Sequence, residues 1–129
     1  MGATNKIVRL EEQAEEQCVA ANDVVALIRD KWTILVLGAL RRERSLRYNE
    51  LQRAVTGISQ RMLTLTLKPL EENGLVKRSV FATVPPRVDY ELTPLGRTLV
   101  QPLRGLLEWS MENRAAMGEA RRAYAKRRA

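Results

Sequence analysis

Sixteen residues separate Gly57 from Gly74, and that interval reads as one short helix with fixed ends. Ser59 follows the first glycine as a good N-cap, because its hydroxyl can accept from the free backbone N–H groups of the next turn. Gly74 tolerates the left-handed conformation with which many helices close. Between them Leu63, Leu67 and Leu70 recur at helical spacing and face inward, which leaves Gln60, Arg61, Thr64 and Lys68 on the outward side. The pattern predicts a helix over residues 60–73. Pro69 lies inside it, where a missing amide hydrogen and a clash with the preceding turn cost about 3 kcal/mol. A bend or a weakened ladder is therefore expected near residues 65–69.

What flanks this helix narrows the fold further. Residues 76–80 and 88–92 read as strands, the second alternating Val88, Tyr90 and Leu92 inward with Asp89 and Glu91 outward. Pro85 and Pro86 cannot continue a ladder, so the segment between the strands is a stiff hairpin tip carrying Arg87. Thr93 and Pro94 read as N-cap and first residue of a last helix. Leu95, Leu99, Leu103, Leu106 and Ser110 share one face of it, and Pro102 is expected to kink it. Upstream, Tyr48 to Ala54 reads as a short helix with Leu51 and Val55 inside. A central buried helix starts at Trp32 and turns Trp32, Leu35, Val36, Ala39 and Leu40 inward. Before it, Ile7, Leu10, Ala14, Cys18, Ala21, Val25 and Ile28 form a single apolar stripe, which fits one long helix or two broken near residues 18–22.

Composition excludes several function classes. The chain has 129 residues, one cysteine and no histidine, so the usual zinc sites and the Ser-His-Asp and Cys-His arrangements cannot be built. Neither a GxGxxG nor a GxxxxGK loop occurs, and Glu71 and Glu72, adjacent on a helix, point apart as solvated residues. No enzyme and no cofactor are expected. The longest strongly apolar stretch, residues 32–40, is far short of a membrane span, and residues 1–9 lack a signal-peptide apolar region. With the lone cysteine, this points to a cytoplasmic location.

Charge is segregated along the chain. The formal net charge is +7, and residues 41–87 hold ten basic against four acidic groups, while residues 1–40 and 88–113 are each mildly acidic. A basic middle with acidic flanks suits one face built for a polyanion. Element order and charge together give a mainly α (α+β) winged helix-turn-helix with a two-stranded β wing and terminal dimerisation helices. Residues 1–113 form that domain and residues 114–129, with six basic groups, form a basic tail. In this arrangement the capped helix enters the major groove of DNA, and the hairpin tip reaches the backbone or minor groove. A winged-helix module that contacts only proteins, or one that binds a small ligand without DNA, is the alternative use of the same fold.

The segments Asp30-Lys31-Trp32-Thr33-Ile34-Leu35, Arg47-Tyr48-Asn49-Glu50-Leu51 and Gly57-Ile58-Ser59-Gln60-Arg61-Met62-Leu63 occur in order with Leu70-Glu71-Glu72-Asn73-Gly74-Leu75-Val76 and with residues 84–96. So ordered, they resemble the HxlR family of bacterial transcriptional regulators over residues 18–109. The resemblance implies a cytoplasmic homodimer on a partly palindromic operator, with the terminal helices as its interface. Surplus apolar surface on the Ile7 stripe and the Leu95 face also points to a homodimer.

Backbone contacts to duplex DNA are expected from Arg47, Lys77 and Arg87, and base contacts from Gln60, Arg61, Thr64 and Lys68, with Ser59 capping between them. Members of this family that respond to oxidants through a cysteine near this place make Cys18 a possible redox sensor. Its own surroundings argue the other way. Glu11, Glu12, Glu15 and Glu16 disfavour a thiolate, and the apolar stripe favours a buried, inert thiol. Trp32, Trp109 and Met111 are expected as core or interface anchors rather than as the lining of an effector pocket, and no effector is identified.

Overall fold

The computed structural model describes the backbone of residues 2–129 and the side chains of residues 6–129. Among the described residues five helices and three strands follow one another: α1 (Gly2–Ile28), α2 (Lys31–Arg42), β1 (Leu46–Arg47), α3 (Tyr48–Ala54), α4 (Gln60–Glu72), β2 (Val76–Phe81), β3 (Arg87–Leu92) and α5 (Pro94–Arg128). No helix among the described residues is long and apolar enough to cross a membrane.

The core is built around α2. Asp30 caps it by accepting the Trp32 amide at 2.9 Å, so the helix starts one residue earlier than the apolar pattern indicates. Val36, Leu37, Ala39 and Leu40 are buried against Leu51, Val55, Leu63, Leu67 and Leu70 of the following helices and against Tyr90 and Leu92 of the sheet. Leu35, expected inside, is instead 46% exposed. Helices α3 and α4 and the sheet cover the side that holds Val36 and Leu40, while Leu35 lies on the side toward α5, which covers it only in part.

The two ends of α4 follow from their capping residues. Ser59 Oγ accepts the Met62 amide at 3.1 Å. At the other end Gly74 takes φ +72°, the Gly74 amide donates to the Glu71 carbonyl at 3.0 Å and the Leu75 amide to Leu70 at 2.9 Å. Those two bonds form a Schellman closure, with buried Leu75 packed back toward buried Leu70. The helix continues through Pro69 as one element. The carbonyl deprived of a donor belongs to Leu65, which is 52% exposed, so water can replace the missing bond.

The sheet has a third strand that the sequence did not announce. Its order is β1-β3-β2, all antiparallel, with Leu46 opposite Tyr90 and Arg47 opposite Asp89. Two residues are too few to show an alternation, so β1 leaves no periodic trace. In the hairpin, Val76 pairs with Leu92 and Phe81 with Arg87, which leaves residues 82–86 as the tip. Arg87 thus opens β3 rather than riding on the tip.

A short junction ties α4 to α5. Thr93 Oγ1 accepts the Gly96 amide at 2.9 Å and donates to the Gly74 carbonyl at 2.6 Å, and the Thr93 amide donates to Leu75 at 3.0 Å. A Cβ at buried Gly96 would run into the Leu75 carbonyl, and backbone cannot step aside as a side chain does. Gly96→Ala is expected to destabilise the fold by about 2–4 kcal/mol, read by denaturant unfolding. An unchanged midpoint would show that this junction is loosely packed.

Beyond that junction the terminal helices leave the core. At 1.5 Å per residue, α1 is about 40 Å long and α5 about 52 Å. Among the described side chains only Leu27 and Ile28 of α1, and Gly96, Leu99, Val100 and Leu103 of α5, pack on the core or are buried. Helix α1 is unbroken through residues 18–22, which decides between the one-helix and two-helix readings. Ile7, Leu10 and Val25 remain more than half exposed, as do Leu95, Leu106, Trp109 and Met111 of α5. The expected single face of the last helix is therefore split. Leu99 and Leu103 turn to the core, while Leu95 and Leu106 turn away from it. Pro102 lies within the continuous helix, and the basic end is helical as far as Arg128.

Candidate nucleic-acid interface

Between the start of α3, the middle of α4 and the wing lies a cleft of about 1030 Å³. Four arginines line it, Arg47, Arg53, Arg78 and Arg87, against a single carboxylate, Glu50. Glu50 Oε1 accepts the Arg47 backbone amide at 2.9 Å, so that carboxylate is engaged in capping α3. Among the described residues the only ion pairs are Arg87–Asp89 and Arg104–Glu108. The charge of Arg47, Arg53 and Arg78 thus meets no carboxylate at salt-bridge distance. A surface with that excess of cations attracts a polyanion.

Arg87 is the exception. Its Nε donates to Asp89 Oδ1 at 3.0 Å and its Nη2 to Oδ2 at 2.8 Å, a forked pair, while the guanidinium lies 4.8 Å from the Phe81 ring centre. The hydrogen bond to Asp89, and then its charge, hold the arginine pKa above its ordinary value. Three of its five N–H groups stay free for a second acceptor.

Tyr48 organises the floor of the cleft. Its hydroxyl lies 2.8 Å from the Gln60 carbonyl and 2.9 Å from Thr64 Oγ1. A carbonyl only accepts, so the Tyr48 proton goes to Gln60 and the Thr64 proton goes to the Tyr48 oxygen. Thr64 then presents lone pairs alone to anything entering the groove. Gln52 steadies the approach to α4 by donating from Nε2 to the Ile58 carbonyl at 3.3 Å.

Of the residues expected at the site, Arg47, Thr64 and Arg87 line the cleft. Gln60, Arg61 and Lys68 are exposed on the neighbouring outward side of α4. Ser59 is engaged as the cap of that helix. Lys77 stands apart: strand alternation puts it on the sheet face opposite Val76, directly across from Glu91, and Arg78 takes the place on the cleft side. Sequence reasoning missed Arg78, Tyr48 and Arg53. Parity with buried Val76 was the available signal for Arg78, and the i, i+4 spacing of Asn49 and Arg53 was the one for Arg53. Cys18 is exposed in the single chain, so its expected burial is not provided by its own fold.

A winged helix-turn-helix with a basic cleft beside its capped helix defines a DNA-binding transcriptional regulator. The chain belongs to the HxlR-like helix-turn-helix family, whose model matches residues 27–117. It is 37% identical over 94 residues to the HTH-type transcriptional regulator YtfH of Escherichia coli strain K12, covering 73% of each chain. It is 45% identical over 91 residues to an HTH-type transcriptional regulator of Methanothermobacter thermautotrophicus, covering 70% of this chain and 66% of that one. Among solved structures, a MarR-family transcriptional regulator from Enterococcus faecalis V583 superposes with a TM-score of 0.66 at 38% identity, covering 80% of this chain and 91% of that one.

Proposed function

We propose that the protein acts as a homodimer that binds a specific operator, placing two copies of α4 in successive major grooves about 34 Å apart. The observation that carries this reading is the four-arginine cleft directly beside the exposed polar side of a helix capped at Ser59. Gln60, Arg61, Thr64 and Lys68 take the base edges. Arg47 and Arg87, joined by Arg53 and Arg78, take phosphates, and Lys77 takes a more distant one. The exposed apolar residues of α1 and α5 supply the surface for the second copy.

Mobility shifts with duplex from the upstream region, against random duplex of equal length, test the division of labour. Arg61→Ala or Gln60→Ala is expected to narrow the gap between the two DNAs by about 1–3 kcal/mol. Arg87→Ala is expected to weaken both alike, because it removes a phosphate contact and leaves Asp89 unpaired beside the phosphates. Equal losses on both DNAs from all three changes would refute the assignment of roles.

Thr64 makes a finer prediction. Held as an acceptor by Tyr48, it favours a base with an amino group in the major groove, adenine or cytosine. Tyr48→Phe frees the threonine proton, so discrimination at that one position is expected to fall by about 1 kcal/mol while the rest of the site is read as before. Selection and sequencing of bound duplexes by both proteins measures it. An identical preference at every position would detach Tyr48 from recognition.

A further inference from the structure

A second cleft, of about 380 Å³, lies between α2, the end of α3 and the first part of α5, and shares no residue with the basic one. Its floor is apolar. Leu37, Val55 and Leu103 are buried there, and Leu35 and Leu107 form walls that are 46% and 39% exposed. Three arginines, Arg41, Arg42 and Arg104, line it, and none of its lining residues is a carboxylate. Arg104 touches Glu108 at 3.6 Å, in a pair whose side chains are both more than half exposed. Arg41 and Arg42 occupy the last turn of α2, where the helix carries a partial negative charge, and two full positive charges outweigh it.

Gly38 gives an independent reason to regard the cleft as a site. It sits in the interior of α2, where glycine costs stability relative to alanine, yet beyond its own stretch of helix a Cβ built on it meets no atom of the described residues within 4 Å. Its φ is not positive, and no packing among the described residues requires it. Gly38 lines the cleft, so a larger side chain at that position would take up part of its space.

We propose that this cleft binds a compact amphipathic carboxylate, with its hydrocarbon body over Gly38 against Leu35, Leu103 and Leu107 and its carboxylate held by the arginines. The volume falls in the range of small-molecule pockets, which combine an apolar lining with a few placed polar groups. A guanidinium is the side chain best matched to a carboxylate. A nucleic acid does not fit an apolar floor of this kind, and an alkyl or aryl body does.

The experiment is calorimetric titration of the full chain, without DNA, with cinnamate and with its neutral counterpart cinnamamide. Cinnamate is expected to bind about tenfold or more tightly than the amide. Arg104→Gln is expected to weaken cinnamate several-fold. Gly38→Ala is expected to raise the melting temperature and weaken cinnamate together, a combination that a purely structural glycine would not give. Gly38→Leu, which fills the cleft, is expected to abolish the titration while the mobility shift with DNA persists, and Gly38→Ala serves if that variant does not fold. No heat from cinnamate at about 10 mM, equal affinity for the amide, or unchanged binding by both Gly38 variants would overturn the proposal. So would a silent titration accompanied by a shift of Gly38→Leu toward monomer, which assigns the cleft to the second copy. Because the titration uses no DNA, its failure leaves the operator reading untouched.

Discussion

Raising salt from about 50 to about 200 mM is expected to lower affinity for duplex DNA by about 10³- to 10⁴-fold. Residues 41–87 contain ten basic and four acidic groups. Arg47, Arg53 and Arg78 in the cleft, and Arg61 and Lys68 beside it, lack a salt-bridge partner among the described residues. Each phosphate neutralised releases condensed counterions, so six to eight such contacts across a dimer give a slope of log K on log salt of roughly −5 to −7. Arg87 contributes less to that slope than a bare arginine, since Asp89 already offsets part of its charge. Fluorescence anisotropy over a salt series reads the slope directly. A value near zero would remove DNA as the partner of the basic cleft.

Glutamate at position 106 is expected to separate the copies, whereas glutamate at position 103 is expected to unfold the chain. The two leucines lie on the same helix only three residues apart. Leu103 is 7% exposed in the core of its own chain, and burying an uncompensated carboxylate there costs several kcal/mol, a large part of a small domain's stability. Leu106 is 53% exposed in the single chain, so its replacement leaves the fold intact and places the penalty on whatever covers it. Two copies each bring one such charge into the interface. Sedimentation of Leu106→Glu is expected to show a folded monomer at micromolar concentration, and loss of the second half-site should weaken operator binding by about 10²- to 10⁴-fold. A dimer with unchanged operator affinity would exclude α5 from the interface.

How far these features could be read in advance depended on how local their causes are. The limits of α3 and both ends of α4 were legible, because Ser59, Gly74 and the leucine spacing act within a turn or two of the chain. Strand β1 was not, since a two-residue strand is created by the partner that it meets, here Tyr90 and Asp89 of β3. The exchange of Lys77 for Arg78 in the cleft has the same origin, because register and sheet face are fixed between strands and not along one. Leu35 and Leu106 look like core in the sequence, as any leucine at helical spacing does; which neighbour covers them is a property of the assembled fold. Tyr48 was visible only as part of a motif. Its bonds to Gln60 and Thr64 span twelve and sixteen residues, and no periodicity carries that information.

The Thr93 junction makes α5 a lever for α4. One threonine hydroxyl holds the end of α4 and the start of α5 together through bonds of 2.6 and 2.9 Å, and Gly96 brings the α5 backbone against Leu75. A tilt between the two α5 helices of a dimer is therefore passed on to the paired α4 helices with little slack. If each α4 of the proposed dimer lies about 17 Å from the dimer axis, half the groove repeat, a tilt of about 5° would move it by about 1.5 Å. In the proposed dimer that displacement would put hydrogen-bonding side chains out of reach of the bases, so the pitch of the two long helices would act as the ruler against which the spacing of the half-sites is measured.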